Sequence, residues 1–178
     1  MGQWLLRCNP AHWRIRDFFT DGHTSTGWTI KQHWKRIRPG DDVAVWLSGE
    51  GGGVVAIGSV AGEPHFGPFA DEDAHYWTGD RDPAGERWVV PVEFTAHFLD
   101  HPIGREVLEA DPRFAHALIL RMTGGRNPSP LTDEEWAAVA DRVPPPGPQV
   151  VATAVRGAAA VVVAGASAVR EAFRSVVG

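Results

Sequence analysis

The sequence predicts an α+β fold in which β-strands form a barrel, helices lie beside it and a helical tail follows. Short alternating apolar segments recur along most of the chain, a helix start signal stands at residues 132–135, and a proline-rich run divides the chain near its end. A chain of 178 residues that is 43% hydrophobic is long enough for one ordinary core. We therefore expect one main domain at residues 1–143, a linker at 144–149 and a C-terminal helix at 150–178.

The predicted strands share alternation of apolar and polar residues or richness in β-branched residues. They are residues 3–8, 43–48, 54–60, 88–94 and 115–122. The first ends at Asn9-Pro10. The second and third are separated by the glycine-rich segment SGEGGG, which predicts a hairpin.

The predicted helices lie between these strands and after the last of them. They are a brief helix or loop at 12–19, and helices at 28–37, 102–109 and 132–143. The last is marked most clearly, because Thr132 and Glu135 form a capping box with Leu131 and Trp136 as a hydrophobic staple. Residues 63–86 are rich in Pro, Gly, Asp and His and are expected to be a long loop.

Positive charge is concentrated in one segment. Residues 28–38, WTIKQHWKRIR, contain four cations, two tryptophans and no acid. Residues 1–50 hold seven Lys or Arg and five Asp or Glu, a net charge of +2, so the remainder carries −7 in a chain of net charge −5. Aromatic faces among cations suit a nucleic-acid surface, and we expect phosphate contacts from Lys31, Lys35, Arg36 and Arg38. The alternative is the solvated face of a helix.

The C-terminal segment differs in composition from the rest. Residues 150–178 are mostly Ala, Val and Gly, with apolar residues along one helical face. A membrane span is the alternative on hydropathy, but Arg156 and the weak apolarity of Ala and Gly argue against it. The pattern favours a helix for self-association or partner docking and no contact with a membrane.

Motifs for catalysis or metal binding do not occur in the sequence. Cys8 is the only cysteine, which excludes an intrachain disulfide and a CxxC metal site. His97 and His101 have the spacing of one helical face, but neither HExxH nor a third ligand accompanies them. We expect no enzyme activity, no metal and no cofactor. The N-terminus lacks an apolar stretch of signal-peptide length, which favours a cytoplasmic location.

Four blocks of sequence, in register, resemble the EVE domain of the PUA-like superfamily. QWLLRCNP resembles its opening strand and turn, and GWTIKQHWKRIRPGD its Trp-bearing turn and basic helix. VAVWLSGEGGGVVAIGSV resembles its central hairpin, and RFAHALILRMTGGRNPSPLTDEEW its closing strand, Gly-Asn loop and acidic-capped helix. Together the blocks cover about residues 3–143. The resemblance implies a compact, twisted β-barrel flanked by helices, related to YTH readers of methylated adenine, and no catalysis.

The resemblance also implies a pocket with aromatic walls. The pocket would open where the Trp28 turn, the end of strand 43–48 and the loop bearing Trp77 converge. Trp28 and Trp77 would be its walls, with Trp88 as the alternative to Trp77. For each tryptophan the competing interpretation is packing in the core.

Polar residues of the same pocket are implied in the same way. Thr29 would contribute backbone contacts beside Trp28, and Asn9 and Ser48 would present polar groups to the edge of a base. The competing interpretation of Asn9 and Ser48 is turn formation.

Two functions follow from these expectations. The favoured one is a non-enzymatic reader of a methylated or hydroxymethylated base, with DNA favoured over RNA, that flips the base into an aromatic pocket. Flipping costs a few kcal/mol, and each aromatic wall returns about 1–3 kcal/mol by stacking, so two walls offset the cost. The alternative is an RNA-binding PUA-like module that recognises a nucleotide in structured RNA. A nuclease or other hydrolase lacks a catalytic cluster in this sequence.

Overall fold

The computed structural model describes residues 1–68, 71–78, 85–122 and 127–145, and within them eight β-strands form one mixed sheet. The strands are β1 Gln3–Cys8, β2 Ser25–Ile30, β3 Asp42–Leu47, β4 Gly53–Val60, β5 His65–Gly67, β6 Arg87–His97, β7 Ile103–Gly104 and β8 Ser129–Pro130. The spatial order is β2-β6-β4-β3-β1-β8, with β5 paired to β6 and β7 to β4. Only β1 and β3 run parallel among these pairs. The sheet curls into a half-barrel, which confirms the predicted α+β class.

Short helices flank the sheet. Those described are α1 Ile15–Thr20, α2 Arg105–Glu109, α3 Leu118–Arg121, α4 Asp133–Ala140 and a 3-10 helix at Asp71–Tyr76. The predicted capping box of α4 is present, because Glu135 N–H donates to Thr132 Oγ1 at 3.2 Å and Thr132 N–H donates to Glu135 Oε2 at 2.9 Å. No helix in the described ranges is long and apolar enough to cross a membrane.

Among the described residues, two apolar clusters form the core. Alternate residues of β1 divide between them, since successive side chains of a strand point to opposite faces. Trp4 and Leu6 belong to the first cluster with Trp28, and Leu5 belongs to the second with Trp46. Trp4, Trp46 and Trp136 are all buried, so each packs in the core.

The predicted helix at residues 28–37 is wrong. Trp28 and Ile30 alternate with Thr29 along β2, which pairs with β6, and the two larger residues are buried on one face. His33 then adopts a φ of 64°, which a right-handed helix does not allow. Only a short turn follows, in which Arg36 N–H donates to His33 O at 2.8 Å. The basic residues therefore lie on a strand end and a loop.

The predicted strand at residues 115–122 is also wrong, because these residues contain α3. Its neighbouring residues Ile119 and Leu120 are both buried, which suits a helix better than an alternating strand. A short apolar run cannot decide between the two by periodicity alone. A shorter strand later in the chain, β8, pairs with β1.

Other expected elements differ in smaller ways. His97 ends β6 and His101 lies in the following turn, so the two histidines share no helical face. The long loop predicted at 63–86 contains β5 and the 3-10 helix. Apart from residues 144 and 145, the predicted linker at 144–149 and tail at 150–178 lie outside the described residues. The domain boundaries and self-association through the tail therefore stay predictions.

Candidate functional site

A cavity of about 290 Å³ opens where β1 and β2 approach each other. These strands are not neighbours in the sheet, because β6, β4 and β3 lie between them. The residues that line the cavity come from the end of β1, the turn after it, β2, the segment after the 3-10 helix and the loop before β8. They are Arg7, Cys8, Asn9, His12, Trp13, Gly27, Trp28, Thr29, Lys31, Trp77 and Asn127.

The turn after β1 forms one wall. Asn9 Oδ1 accepts a hydrogen bond from Ala11 N–H at 3.0 Å, which is the turn-forming role of an Asn before Pro. Asn9 O also accepts from Trp13 N–H at 3.1 Å, which directs the chain back toward the sheet. Trp13 forms a β-bridge with Trp77. The turn and the Trp77 segment are thereby held together.

Asn127 closes the gap between the two strands. Its Oδ1 accepts from Arg7 N–H of β1 at 2.9 Å, and its Nδ2 donates to Thr29 O of β2 at 3.1 Å. Its backbone carbonyl accepts from Lys31 N–H at 2.8 Å. Because one residue satisfies backbone groups of both strands, it fixes the width of the cavity between them.

The aromatic residues of the cavity are also part of the core. Trp13 and Trp28 are 5% and 6% exposed, and their rings meet edge to face at 5.3 Å. Trp28 also meets Phe94 edge to face, with ring centroids 6.2 Å apart. Trp77 is half-buried against the same cluster. Trp28 is therefore both a core residue and a wall of the cavity.

Trp88 lies elsewhere. It stacks on Trp34 with ring centroids 5.1 Å apart and meets the exposed Phe66 at 5.8 Å. Of the two tryptophans that the sequence left as alternatives for the second wall, Trp77 lines the cavity and Trp88 does not.

Two buried polar atoms stand in the cavity wall without a hydrogen-bond partner in the described part of the chain. They are Trp13 Nε1 and Thr29 Oγ1. Burial without a hydrogen bond is costly, so such groups are rare in folded proteins. The carbonyl of Thr29 accepts from Asn127, so the hydroxyl is the side-chain group of this lining residue that has no partner.

Burial also alters the ionisable groups of the wall. It raises the pKa of the Cys8 thiol to about 12, so the thiol stays protonated at neutral pH. Burial lowers the pKa of Arg7, whose Nη2 donates to Met122 O at 2.9 Å. Within the described ranges, no three His, Cys, Asp or Glu side chains are grouped so that they could hold a metal ion.

Four of the five residues expected in the pocket line this cavity: Asn9, Trp28, Thr29 and Trp77. Ser48 is not among the lining residues. It follows β3, and its N–H donates to Cys8 O at 2.8 Å, so it continues the pairing of β3 with β1 beside the cavity.

The expected phosphate-binding residues separate into two groups. Lys31 lines the cavity, whereas Lys35, Arg36 and Arg38 do not. The guanidinium of Arg36 lies 5.6 Å from the centre of the Trp4 ring, and Arg38 Nη1 donates to Ile37 O at 2.9 Å. Arg7 also lines the cavity, although the sequence analysis did not single it out as a phosphate-binding residue.

Sequence reasoning missed Trp13 and Asn127 as well. Trp13 fell in a segment predicted only as a brief helix or loop, and its signal was an aromatic residue directly after the Asn-Pro turn. Asn127 stands before Pro128 in the loop that the resemblance already covered. An Asn in such a position often binds backbone groups, which was the available signal.

Comparisons with known proteins identify the family of this chain. The family model described as the EVE domain matches residues 3–142, which confirms the resemblance expected from the sequence. A search of curated proteins found no match.

Several solved structures share the fold. Rpa0253 from Rhodopseudomonas palustris is 24% identical with a TM-score of 0.57, over 79% of this chain and 92% of its own. Atu2648 from Agrobacterium tumefaciens is 21% identical with a TM-score of 0.55, over 79% and 92%. Human THYN1 in complex with DNA containing 5-methylcytosine is 16% identical with a TM-score of 0.54, over 82% and 100%. At these identities the likeness shows the fold.

Proposed function

This chain belongs to the EVE domain family, and we propose that it is a nucleic-acid-binding module whose cavity accepts one modified base. The base is methylated or hydroxymethylated, is carried by DNA in preference to RNA, and is flipped out of its stack to enter. The observation that carries this proposal is the cavity between β1 and β2, which combines three tryptophans with unused polar atoms.

The size and lining of the cavity suit a single base. Its volume of about 290 Å³ is at the lower end of small-molecule sites, which span about 300–1,000 Å³. Trp13, Trp28 and Trp77 provide apolar surface on several sides. Every nucleobase has a flat aromatic face, so aromatic walls bind it by stacking.

The charge of the cavity suits a polyanion. Arg7 and Lys31 line it, and among the described residues its lining includes neither Asp nor Glu. The exposed side chains of Lys31 and Lys35 lie at and just after the end of β2. Cations at the mouth of a base-binding cavity attract the phosphates that flank a flipped nucleotide.

The choice of DNA over RNA rests on the similar structure of human THYN1 with DNA that contains 5-methylcytosine. The energies are compatible with flipping. Extruding a base costs a few kcal/mol, and stacking on an aromatic side chain returns about 1–3 kcal/mol.

A binding role, and not catalysis, is proposed because the described residues that line the cavity include no activated nucleophile. Cys8 lines the cavity, and burial raises the pKa of its thiol to about 12. A nucleophilic cysteine requires a thiolate, which an apolar environment disfavours.

The proposal is tested with a panel of short oligonucleotides, DNA and RNA, single- and double-stranded. Each carries one 5-methylcytosine, 5-hydroxymethylcytosine or N6-methyladenine, or the parent base, and binding is measured by fluorescence anisotropy. We expect at least a tenfold preference for one modified DNA over its parent. Absence of any preference overturns the proposal, and a stronger preference for RNA supports the RNA-binding alternative.

Two tryptophan variants connect the preference to the cavity. Trp77→Ala removes one wall and is expected to abolish most of the preference, since one stacked aromatic contributes about 1–3 kcal/mol. Trp88→Ala is the matched control, because Trp88 is also half-buried against the same core cluster but lies outside the cavity. Equal effects of the two variants would contradict the assignment of the cavity.

A further inference from the structure

Trp13 is held rigidly with an unused hydrogen-bond donor at the cavity wall. The centroid of its ring lies 5.1 Å from that of Phe18, 5.3 Å from that of Trp28 and 6.4 Å from that of Tyr76. Its Nε1 is buried and has no hydrogen-bond partner in the described ranges. The equally buried Trp4 differs, because its Nε1 donates to Asp41 Oδ2 at 2.8 Å.

Thr29 adds a second unused group to the same cavity. Its Oγ1 is buried without a partner among the described residues, while its carbonyl accepts from Asn127. Two such atoms on residues that line one cavity point to a ligand, because buried polar groups in folded proteins are nearly always hydrogen-bonded.

The chemistry of the two groups limits which ligand satisfies them. An indole N–H only donates, so the ligand must present an acceptor to Trp13. A hydroxyl donates or accepts, so Thr29 is satisfied by a neighbouring ring nitrogen or amino group. Cytosine, thymine and guanine carry a carbonyl oxygen on the ring, which projects about 1.2 Å beyond it. Adenine carries none: its acceptors are ring nitrogens, which do not project beyond the ring, and its exocyclic group is an amino donor.

We propose that Trp13 determines which bases the cavity accepts, by donating from Nε1 to a ring carbonyl oxygen, with Thr29 Oγ1 bonding the adjacent group of the ring. The inference rests on the proposed function and names its substrate class. The cavity takes modified bases that carry a ring carbonyl, such as 5-methylcytosine, and discriminates against N6-methyladenine.

The first test removes only the donor. Trp13 is replaced by 3-benzothienylalanine, in which sulfur stands where the indole has its N–H and the ring shape is kept. Affinity for a DNA duplex with one central 5-methylcytosine is expected to fall about tenfold, while weak binding of the N6-methyladenine duplex is unchanged. The same replacement at Trp46, which lies in the other core cluster, is the matched control and is expected to change neither affinity.

The second test removes the acceptor. The 5-methylcytosine is replaced by its analogue that lacks O2, the one carbonyl oxygen of the ring, at a pH where the analogue is neutral. The unaltered protein is expected to lose about tenfold in affinity, and the Trp13 variant to lose nothing further. This measurement on the unaltered protein decides the question even where the variant folds poorly.

The outcomes separate the inference from the function beneath it. Suppose that the protein prefers 5-methylcytosine over cytosine. If removal of O2 then leaves its affinity unchanged, or lowers the affinity of the unaltered protein and of the Trp13 variant equally, the Trp13 contact is wrong and the modified-base function stands. If N6-methyladenine binds as tightly as 5-methylcytosine, the substrate class is wrong. If no modified base is preferred over its parent, the function fails and the inference fails with it.

Discussion

Asn127 Nδ2 donates a hydrogen bond to Thr29 O at 3.1 Å, and this contact links two strands that the sheet itself leaves apart. The other end of the same amide accepts from Arg7 N–H at 2.9 Å. A single side chain therefore holds the two sides of the cavity at a set distance, so the shape of the site depends on a residue that need not touch a ligand.

Asn127→Ala is expected to lower both stability and selectivity. The substitution leaves Arg7 N–H and Thr29 O without their partner, at a cost of about 1–3 kcal/mol for each group that stays buried. Urea unfolding measures the loss of stability, and anisotropy with modified and parent duplexes measures selectivity. Gln32→Ala is the matched control, because Gln32 donates from its amide to Pro128 O in the same loop but does not join β1 to β2. An equal effect of Gln32→Ala would contradict the role given to Asn127.

Asp111 is expected to make stability depend on acid pH. Hydrogen bonds from Arg113, and then from Arg142, hold the pKa of the Asp111 carboxyl well below its usual range in the folded protein. A depressed folded pKa stabilises the protein above the unfolded value of about 3.9, and this contribution declines as pH falls below it.

Asp111→Asn therefore destabilises the protein most at neutral pH, and the difference from the parent narrows below about pH 4. Thermal unfolding from pH 2 to 7 measures this. Asp141→Asn is the control, because Asp141 also binds Arg113 but is largely exposed. A difference between parent and Asp111→Asn that is constant with pH would show that the network does not act through this carboxyl.

Lys31→Gln is expected to reduce the salt dependence of duplex binding by about 0.9 in the log-log slope, the share of one phosphate contact. Replacing Lys31, Lys35, Arg36 and Arg38 together is expected to reduce it by about 3.6 if all four contact phosphates. Anisotropy titrations between 50 and 200 mM salt, roughly a fourfold range, measure both slopes. If the slope is unchanged in the variant with all four residues replaced, the phosphate contacts lie elsewhere, with Arg7 as the next candidate.

Ending the chain after Val143 is expected to leave a folded domain that still binds nucleic acid, because the described residues of both core clusters lie at or before that position. Circular dichroism and anisotropy measure folding and binding. Analytical ultracentrifugation of the full and shortened chains tests self-association through residues 150–178. Loss of the folded spectrum on shortening would show that the tail belongs to the core.

The sequence predicted best the elements whose signals are local. Strand β1 ends at Asn9-Pro10, the hairpin of β3 and β4 turns at glycines, and α4 begins with the capping box of Thr132. Each of these depends on residues a few positions apart. Residues 28–37 were predicted wrongly because pairing with the distant strand β6 makes their first part a strand. Residues 115–122 were predicted wrongly because a short apolar run does not distinguish a strand from the helix α3 that forms there.

The residues of the candidate site were predictable only in part from the sequence. Trp28, Thr29, Trp77 and Asn9 were expected from the resemblance, and all four line the cavity. Trp13 and Asn127 act through contacts with β2 and Trp77, which are far from them along the chain. No short-range pattern encodes such contacts.

Trp28 is both a core residue and a wall of the cavity, and this constrains how the base preference of the domain can change in evolution. Removing a buried tryptophan costs about 3–5 kcal/mol, a large share of the 5–15 kcal/mol that stabilises a typical domain. A mutational path to a new base preference is therefore strongly disfavoured at Trp28, because the intermediate would lose this much stability before it acquired a new ligand. Such a path stays open at Asn9 and Thr29, which line the cavity without belonging to either core cluster. Descendants of this protein with altered preferences are expected to keep the tryptophan and to differ at these two positions.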